Sequence, residues 1–468
     1  MSHNNKFFIS KKYNIPLNKL HDTHMQYYYT TYPKLCCQYD LKPIEHPINP
    51  FDYISALTKL NEYYDIKCNY FRELLEIVTQ NNNDITKCSI DIADKIIKEY
   101  IKFRKNIFCL TIWPHYEHDL KELVSFLGEY GFVYHVKTIR LNYNGAMNLV
   151  HQLYSDTNRF PTLDKIKEKV KYLGWEENNY DKNNDKKKVR VIFFENASAE
   201  AISGSQSPLK TKIRDFLLKN INNKNLRGDD LVHINDFYYQ TIEYSQIFLH
   251  KKTLSFLKKQ NLEKYLSFDK SRLYINTIKQ WLVKNVDLID YERFVIMGSA
   301  ILYVYGIRQC RDVDGLMLGA SDKLNENVAK FFYERQTKFP FAEFGITNTE
   351  KYWDKGWDEK DKAWFKLLNI NYRDELLFNP DCYFYFNGMK FLTIKAEILK
   401  KYIRHKAQDV ADMIEIMELL GIDIKLPKVD INDDFIRDFE AHLENRYGLG
   451  KSDINILVEK YLKKLKLE

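Results

Sequence analysis

Between Phe294 and Leu318 the chain reads FVIMGSAILYVYGIRQCRDVDGLML, the stretch that most narrows what it can fold into. An apolar segment runs into Gly298-Ser299, a helix-like run follows, and a second apolar segment carries Asp312-Val313-Asp314. That order predicts a strand–helix–strand unit with a tight turn at Gly298. Alternate residues of a strand face the same side, so Asp312 and Asp314 share one face. Neighbouring carboxylates repel unless a cation lies between them, which makes the pair a grip for a divalent metal carrying a triphosphate. Gly298 lets the backbone approach phosphate, with N–H groups and the Ser299 hydroxyl as donors at a helix start.

These residues resemble the signature of the polymerase-β-like nucleotidyltransferase superfamily: an apolar residue, Gly, then Gly or Ser, a helix-length interval, and Asp-apolar-Asp/Glu-apolar. Met297-Gly298-Ser299 and Asp312-Val313-Asp314 match in order, whereas Gly315 stands where an apolar residue is usual and Leu316 follows it. The resemblance implies a mixed-sheet domain, Mg²⁺ or Mn²⁺ held by Asp312 and Asp314, and triphosphate contacts from Gly298 and Ser299. It also implies a third carboxylate on a nearby strand. Asp374, Glu375 and Asp381 are the candidates, and Asp381, at the start of a hairpin, is preferred. Lys400 and Arg404 lie four apart on one helix face, with Asp409 and Asp412 beyond. That order is similar to toxin–antitoxin and small-molecule-modifying members of the superfamily. It implies a cationic pair on the β- and γ-phosphates.

The implied reaction moves a nucleoside monophosphate from a nucleoside triphosphate to an acceptor, releasing pyrophosphate. The acceptor stays open among RNA, protein and small molecule. Two alternatives stand beside it. One is a catalytically degenerate interaction or structural protein that keeps the fold. The other is a template-independent RNA nucleotidyltransferase, which would want a basic track with exposed aromatics.

Length and composition frame the rest. A chain of 468 residues predicts two domains. With 45% hydrophobic and 15% aromatic residues, 16 Gly and 11 Pro, it can build cores and is neither fibrous nor disordered. A net charge of +7 permits an anionic partner such as a nucleotide or nucleic acid without demanding one. Seven cysteines, at 36, 37, 68, 88, 109, 310 and 382, show neither C-x-x-C nor zinc-ligand spacing, which fits a reducing compartment. The opening MSHNNKFFISKKYNIP lacks the apolar core of a signal peptide. The longest apolar run, Phe294 to Ile307, is too short to span a bilayer. A cytoplasmic protein with no membrane partner is expected. Heavy use of Asn, Lys, Ile and Tyr suggests an AT-rich genome, such as that of a large DNA virus or a protist.

The expected fold class is α/β (α+β). An irregular segment over 1–50 precedes an α/β, ferredoxin-like domain over 51–265, the nucleotidyltransferase-like mixed-sheet domain over 270–425 and a helical tail over 426–468. In the first domain, helices are expected over 51–106 and strands at 107–113, 132–141 and 189–195, with helices between them. The polar pair after His233-Ile234, Asn235-Asp236, can cap a following helix, and Ser203–Ser207 reads as a polar turn. In the second, a helix over 271–286 leads into the signature. A hairpin is expected at 381–394 around Asn387-Gly388, then one long helix from Lys395 to Gly421.

Overall fold

The structure is a computed structural model, and it describes residues 94, 98, 101, 107–155, 162–176, 187–196, 207–223, 225–268, 278–279, 294–310, 312–317, 343–348, 359–370, 375–447 and 451–467. The expectations for 1–50, for most of 51–106, for 203–206, for most of 271–286 and for Asp374 lie outside the described residues. The chain divides into two units, each mixing helices with a small sheet. One comprises Met1–Lys258 with Tyr385–Gly388, the other Lys259–Phe384 with Met389–Glu468.

The first unit contains β1 (Ile107–Ile112), α1 (Lys121–Gly128), β2 (Gly131–Leu141), α2 (Tyr143–Leu153), α3 (Leu163–Tyr172), β3 (Lys187–Asn196), α4 (Pro208–Lys219), α5 (Gly228–Leu231), β4 (Val232–Ile234), α6 (Tyr238–Phe248) and α7 (Lys251–Lys259). Its strands lie in the order β2-β3-β1-β4 with every neighbouring pair antiparallel. All six residues of β1 are buried, which is why the segment reads as an unbroken apolar run. Phe108, Leu110 and Ile112 pack with Leu123 and Leu127 of α1 and with Ile213 and Leu217 of α4. Asn235 ties β1 to α6: its Oδ1 accepts from the Cys109 amide at 2.7 Å, and its Nδ2 donates to Thr241 Oγ1 at 2.7 Å. Asn235 and Asp236 therefore do not cap α6. Gln240 Oε1 reaches back to accept from the Asp236 and Phe237 amides instead. Within this unit Tyr385 takes its place in the core, its amide donating to Thr253 Oγ1 at 2.9 Å and its hydroxyl accepting from Lys98 Nζ at 2.9 Å.

The second unit begins with α8 (Leu262–Ser267), β5 (Phe294–Met297), α9 (Ser299–Val304), β6 (Asp312–Met317) and β7 (Glu343–Asn348). It continues through α10 (Glu359–Leu368), α11 (Glu375–Phe378), β8 (Tyr383–Phe386), β9 (Met389–Leu392), α12 (Ile394–Arg404), α13 (Ala407–Leu420), α14 (Asp433–Tyr447) and α15 (Lys451–Leu467). The strand order is β7-β6-β5-β9-β8. β5 runs antiparallel to β6 and parallel to β9, and β6 runs parallel to β7. The sheet is therefore mixed. Asn387 and Gly388 both have positive φ, 51° and 78°, as a two-residue turn that matches strand twist requires.

One feature differs from the sequence reading. The long helix after the hairpin is broken: His405 adopts a left-handed φ of 40°, ending α12, and α13 starts anew at Ala407. The segment over 426–468 carries the helices α14 and α15 and groups with the second unit. No helix among the described residues is long and apolar enough to cross a membrane.

Candidate functional site

β5 delivers Gly298 to one edge of the second sheet, and β6 starts from that same edge because it runs antiparallel. The register pairs Met297 with Asp314. Gly298 has φ 73° and ψ −147°, a conformation only glycine adopts without strain. A Cβ at this position would lie 2.7 Å from Asp314 Oδ2. The glycine thus supplies both the turn into α9 and the space in which the Asp314 carboxylate rests. Asp314 is exposed, and Ser299 is the first residue of α9.

The Gly315 departure has a local explanation. Its Cβ would fall 2.5 Å from Phe294 Cε2, so the ring of Phe294 occupies the volume that an apolar side chain would otherwise fill. Position 315 carries no side chain, and Phe294 covers the gap diagonally across the β5–β6 pair.

The parallel neighbour of β6 adds an acid that sequence reading missed. Asp312 is in register with Glu343, the first residue of β7. Adjacent strands lie about 4.8 Å apart, so Glu343 occupies a position next to the Asp312–Asp314 strand. Asp381 does not. It precedes β8, with β9 and β5 between that strand and β6, a lateral separation of roughly 14 Å. Its amide donates to Asn379 Oδ1 at 3.0 Å, the arrangement of an ordinary turn. Glu375 opens α11 and belongs to none of the strands beside β6. Among the described residues no three His, Cys, Asp or Glu side chains converge as a metal-binding group, and the side chains of Asp312 and Glu343 fall outside that description. The hard oxygen donors at 312, 314 and 343 suit Mg²⁺ or Mn²⁺ rather than a softer metal.

α12 starts directly after β9, and β9 runs parallel to β5, so the helix rises from the edge that carries Gly298 and Asp314. Thr393 caps it, its Oγ1 accepting from the Ala396 amide. Lys400 follows about two turns later, and its ammonium lies 5.2 Å from the centre of the Trp364 ring. Burial pushes this lysine's pKa down. Glu397, Asp314 and Asp361 pull the other way, while Arg404 adds to the depression.

Arg404 behaves differently from the sequence expectation. It bonds Asp409 Oδ1 at 2.6 Å, part of a buried cluster in which Lys401 meets Glu397, Asp409 and Asp412, and Arg308 meets Asp412 through two nitrogens. Three cations face three carboxylates there. Burial lowers the pKa of Lys401, but Asp412, Glu397 and Asp409 more than reverse this, and Asp409 does the same for Arg404. The break at His405 makes the cluster possible, because on one straight helix Arg404 and Asp409 would not share a face.

Other polar residues of the first unit are engaged in contacts within the fold. Buried Lys210 bonds Asp236 at 2.5 Å, Arg214 pairs with Asp229, and Ser207 caps α4. His233 Nε2 meets the Tyr244 hydroxyl at 2.8 Å. That hydroxyl spends its hydrogen on the Leu153 carbonyl, so the ring nitrogen is the donor. Compared with family models, characterised proteins and solved structures, the chain finds no match.

Proposed function

We propose that the second unit is a metal-dependent nucleotidyltransferase that moves a nucleoside monophosphate from a nucleoside triphosphate to an acceptor. The observation that carries this reading is the seat of the Asp314 carboxylate against the left-handed Gly298, at the edge from which α12 lifts Lys400. In this reading Asp312 and Asp314 hold Mg²⁺ or Mn²⁺, and Glu343 takes the place that Asp381 does not reach. The metal supplies charge neutralisation and orients the α-phosphate. Gly298 leaves the backbone open to phosphate oxygens, Ser299 offers a hydroxyl donor, and Lys400 offsets the charge of the leaving pyrophosphate. The acceptor hydroxyl oxygen bonds to the α-phosphorus as the bond from that phosphorus to the α–β bridging oxygen breaks; pyrophosphate leaves and the hydroxyl proton passes to solvent.

The rival reading is a decayed site kept for interaction. Against it, the Phe294 ring fills the space beside Gly315, and Glu343 stands in register with Asp312 as a candidate third acid. We also read the first unit as ferredoxin-like, because β3 inserted antiparallel between β1 and β2, with β4 outside β1, is the split β-α-β arrangement.

The test is transfer from α-³²P-labelled ATP, CTP, GTP and UTP with Mg²⁺ or Mn²⁺. RNA, the protein itself and a cell extract serve as acceptors. Label should appear with the wild type and vanish in Asp312→Ala/Asp314→Ala. No label, together with no metal-dependent nucleotide binding by calorimetry, would overturn the reading.

A further inference from the structure

Four cations meet near the end of α12 and the start of α13, and among the described residues one of them makes no ion pair. Lys401, Arg404 and Arg308 are each held by buried carboxylates. Lys400 makes no ion pair among the described residues. Its ammonium is held by an aromatic face instead. A lysine in that state can answer an external anion with no salt-bridged carboxylate to displace first.

The indole that holds it is itself buried and fixed by two contacts. Trp364 is buried, 3% exposed. Its Nε1 donates to the Ala396 carbonyl at 2.9 Å, which pins one end of the ring to the first turn of α12. Its plane stacks on Phe365 at 5.2 Å and 28°. Ala396 and Lys400 are four residues apart, one turn of the helix, so the ring spans from the pinned carbonyl to the ammonium above it. Helical side chains lean toward the N-terminus. With the indole as a wall, Lys400 is directed back down α12 toward the sheet edge where Asp314 lies.

Resting on the nucleotidyltransferase reading, we infer that Trp364 is the positioning residue for Lys400, and that this one lysine, not the Lys400–Arg404 pair, meets the polyphosphate tail of the substrate. The groups around it are Glu397 and Arg404 on α12, Asp314 on β6 and Asp361 on α10. Glu397 is bonded to Lys401 at 3.2 Å and Arg404 to Asp409, so Asp314, Asp361 and the incoming anion are the negative groups that Lys400 faces.

The test is a double-mutant cycle on the full-length protein, with magnesium tripolyphosphate as the probe in calorimetry. Lys400→Gln should weaken binding by roughly tenfold, the loss of one charge-assisted contact. Trp364→Leu should weaken it by several-fold, and Trp364→Phe, which keeps an aromatic face, should restore most of that loss. The double variant Lys400→Gln/Trp364→Leu should be no weaker than Lys400→Gln alone. A purely structural Trp364 would give additive losses, and that result overturns the proposal while leaving the nucleotidyltransferase reading intact. Wild type that binds no tripolyphosphate overturns both. Should Trp364→Leu fail to fold, 5-fluorotryptophan labelling replaces it. The ¹⁹F resonance of Trp364, assigned with Trp364→Phe, should shift in Lys400→Gln and again on adding tripolyphosphate to the wild type. A resonance indifferent to both sinks the contact and the role together.

Discussion

A methyl group at position 298 would sit 2.7 Å from Asp314 Oδ2 on a backbone at φ 73°, so Gly298→Ala must displace either the carboxylate or the turn. We expect transfer to fall by tenfold or more for a destabilisation of only about 1–3 kcal/mol, read by the labelled-nucleotide assay beside a urea melt. The same pair of strands offers a converse test. Gly315→Val would supply the usual apolar residue yet strike the Phe294 ring, and should cost about 1–3 kcal/mol. Phe294→Leu in the same chain should recover part of that loss in denaturant melts, since each change relieves the other. The glycine turn into α9 and the placing of Asp314 on β6 were legible in the sequence, because a glycine before a helix and alternating acids on a strand are local patterns. The Phe294–Gly315 exchange was not legible, because it joins residues whose meeting depends on the β5–β6 register.

Among the elements, the break between α12 and α13 has the largest energetic consequence. It buries three cations with three carboxylates, so removing one partner strands a charge. Asp409→Asn should destabilise by about 3–5 kcal/mol in urea unfolding, far more than Lys400→Gln, whose side chain is not in the cluster. Further along, Glu418 on α13 clamps α15 through Lys460 and Lys464 at 2.8 and 2.6 Å. Burial raises its pKa, but those two hydrogen bonds outweigh it and hold the carboxyl below the usual glutamate range. The unfolded chain therefore takes up that proton first as pH falls. The clamp is at full strength above the ordinary glutamate pKa and is lost as pH drops through the folded value. Hydrogen exchange of α15 should quicken on acidification across that window, by the modest amount a half-buried pair allows, and Glu418→Gln should be fast throughout. Periodicity alone read α12 and α13 as one helix, since both halves carry apolar residues at helical spacing and no Gly or Pro interrupts them. The left-handed His405 is sustained by the ion pairs it permits, a cause invisible to local pattern.

At the scale of the whole molecule the chain does not divide into two consecutive lengths. Tyr385–Gly388 belong to the first unit although they lie well inside the sequence of the second. Phe386 packs edge-on against Phe256 with centroids 5.5 Å apart and stacks with His151 at 6.3 Å. Phe386→Ala should lower the stability of the first unit by about 3–5 kcal/mol, seen in calorimetry as an earlier transition and in hydrogen exchange as lost protection of α2 and α7. By itself the sequence determined β1, β2, β3, β5, β6 and the β8–β9 hairpin with its Asn387-Gly388 turn, and the placing of Gly298 and Asp314, because each is encoded within a short window by side-chain periodicity and backbone preference. The tertiary structure alone decided which acid stands beside Asp312, which cation remains uncommitted, and what holds it. Those outcomes depend on strand order and on the packing of α10 against α12, and residues far apart in the chain leave no local trace of the neighbours they will meet.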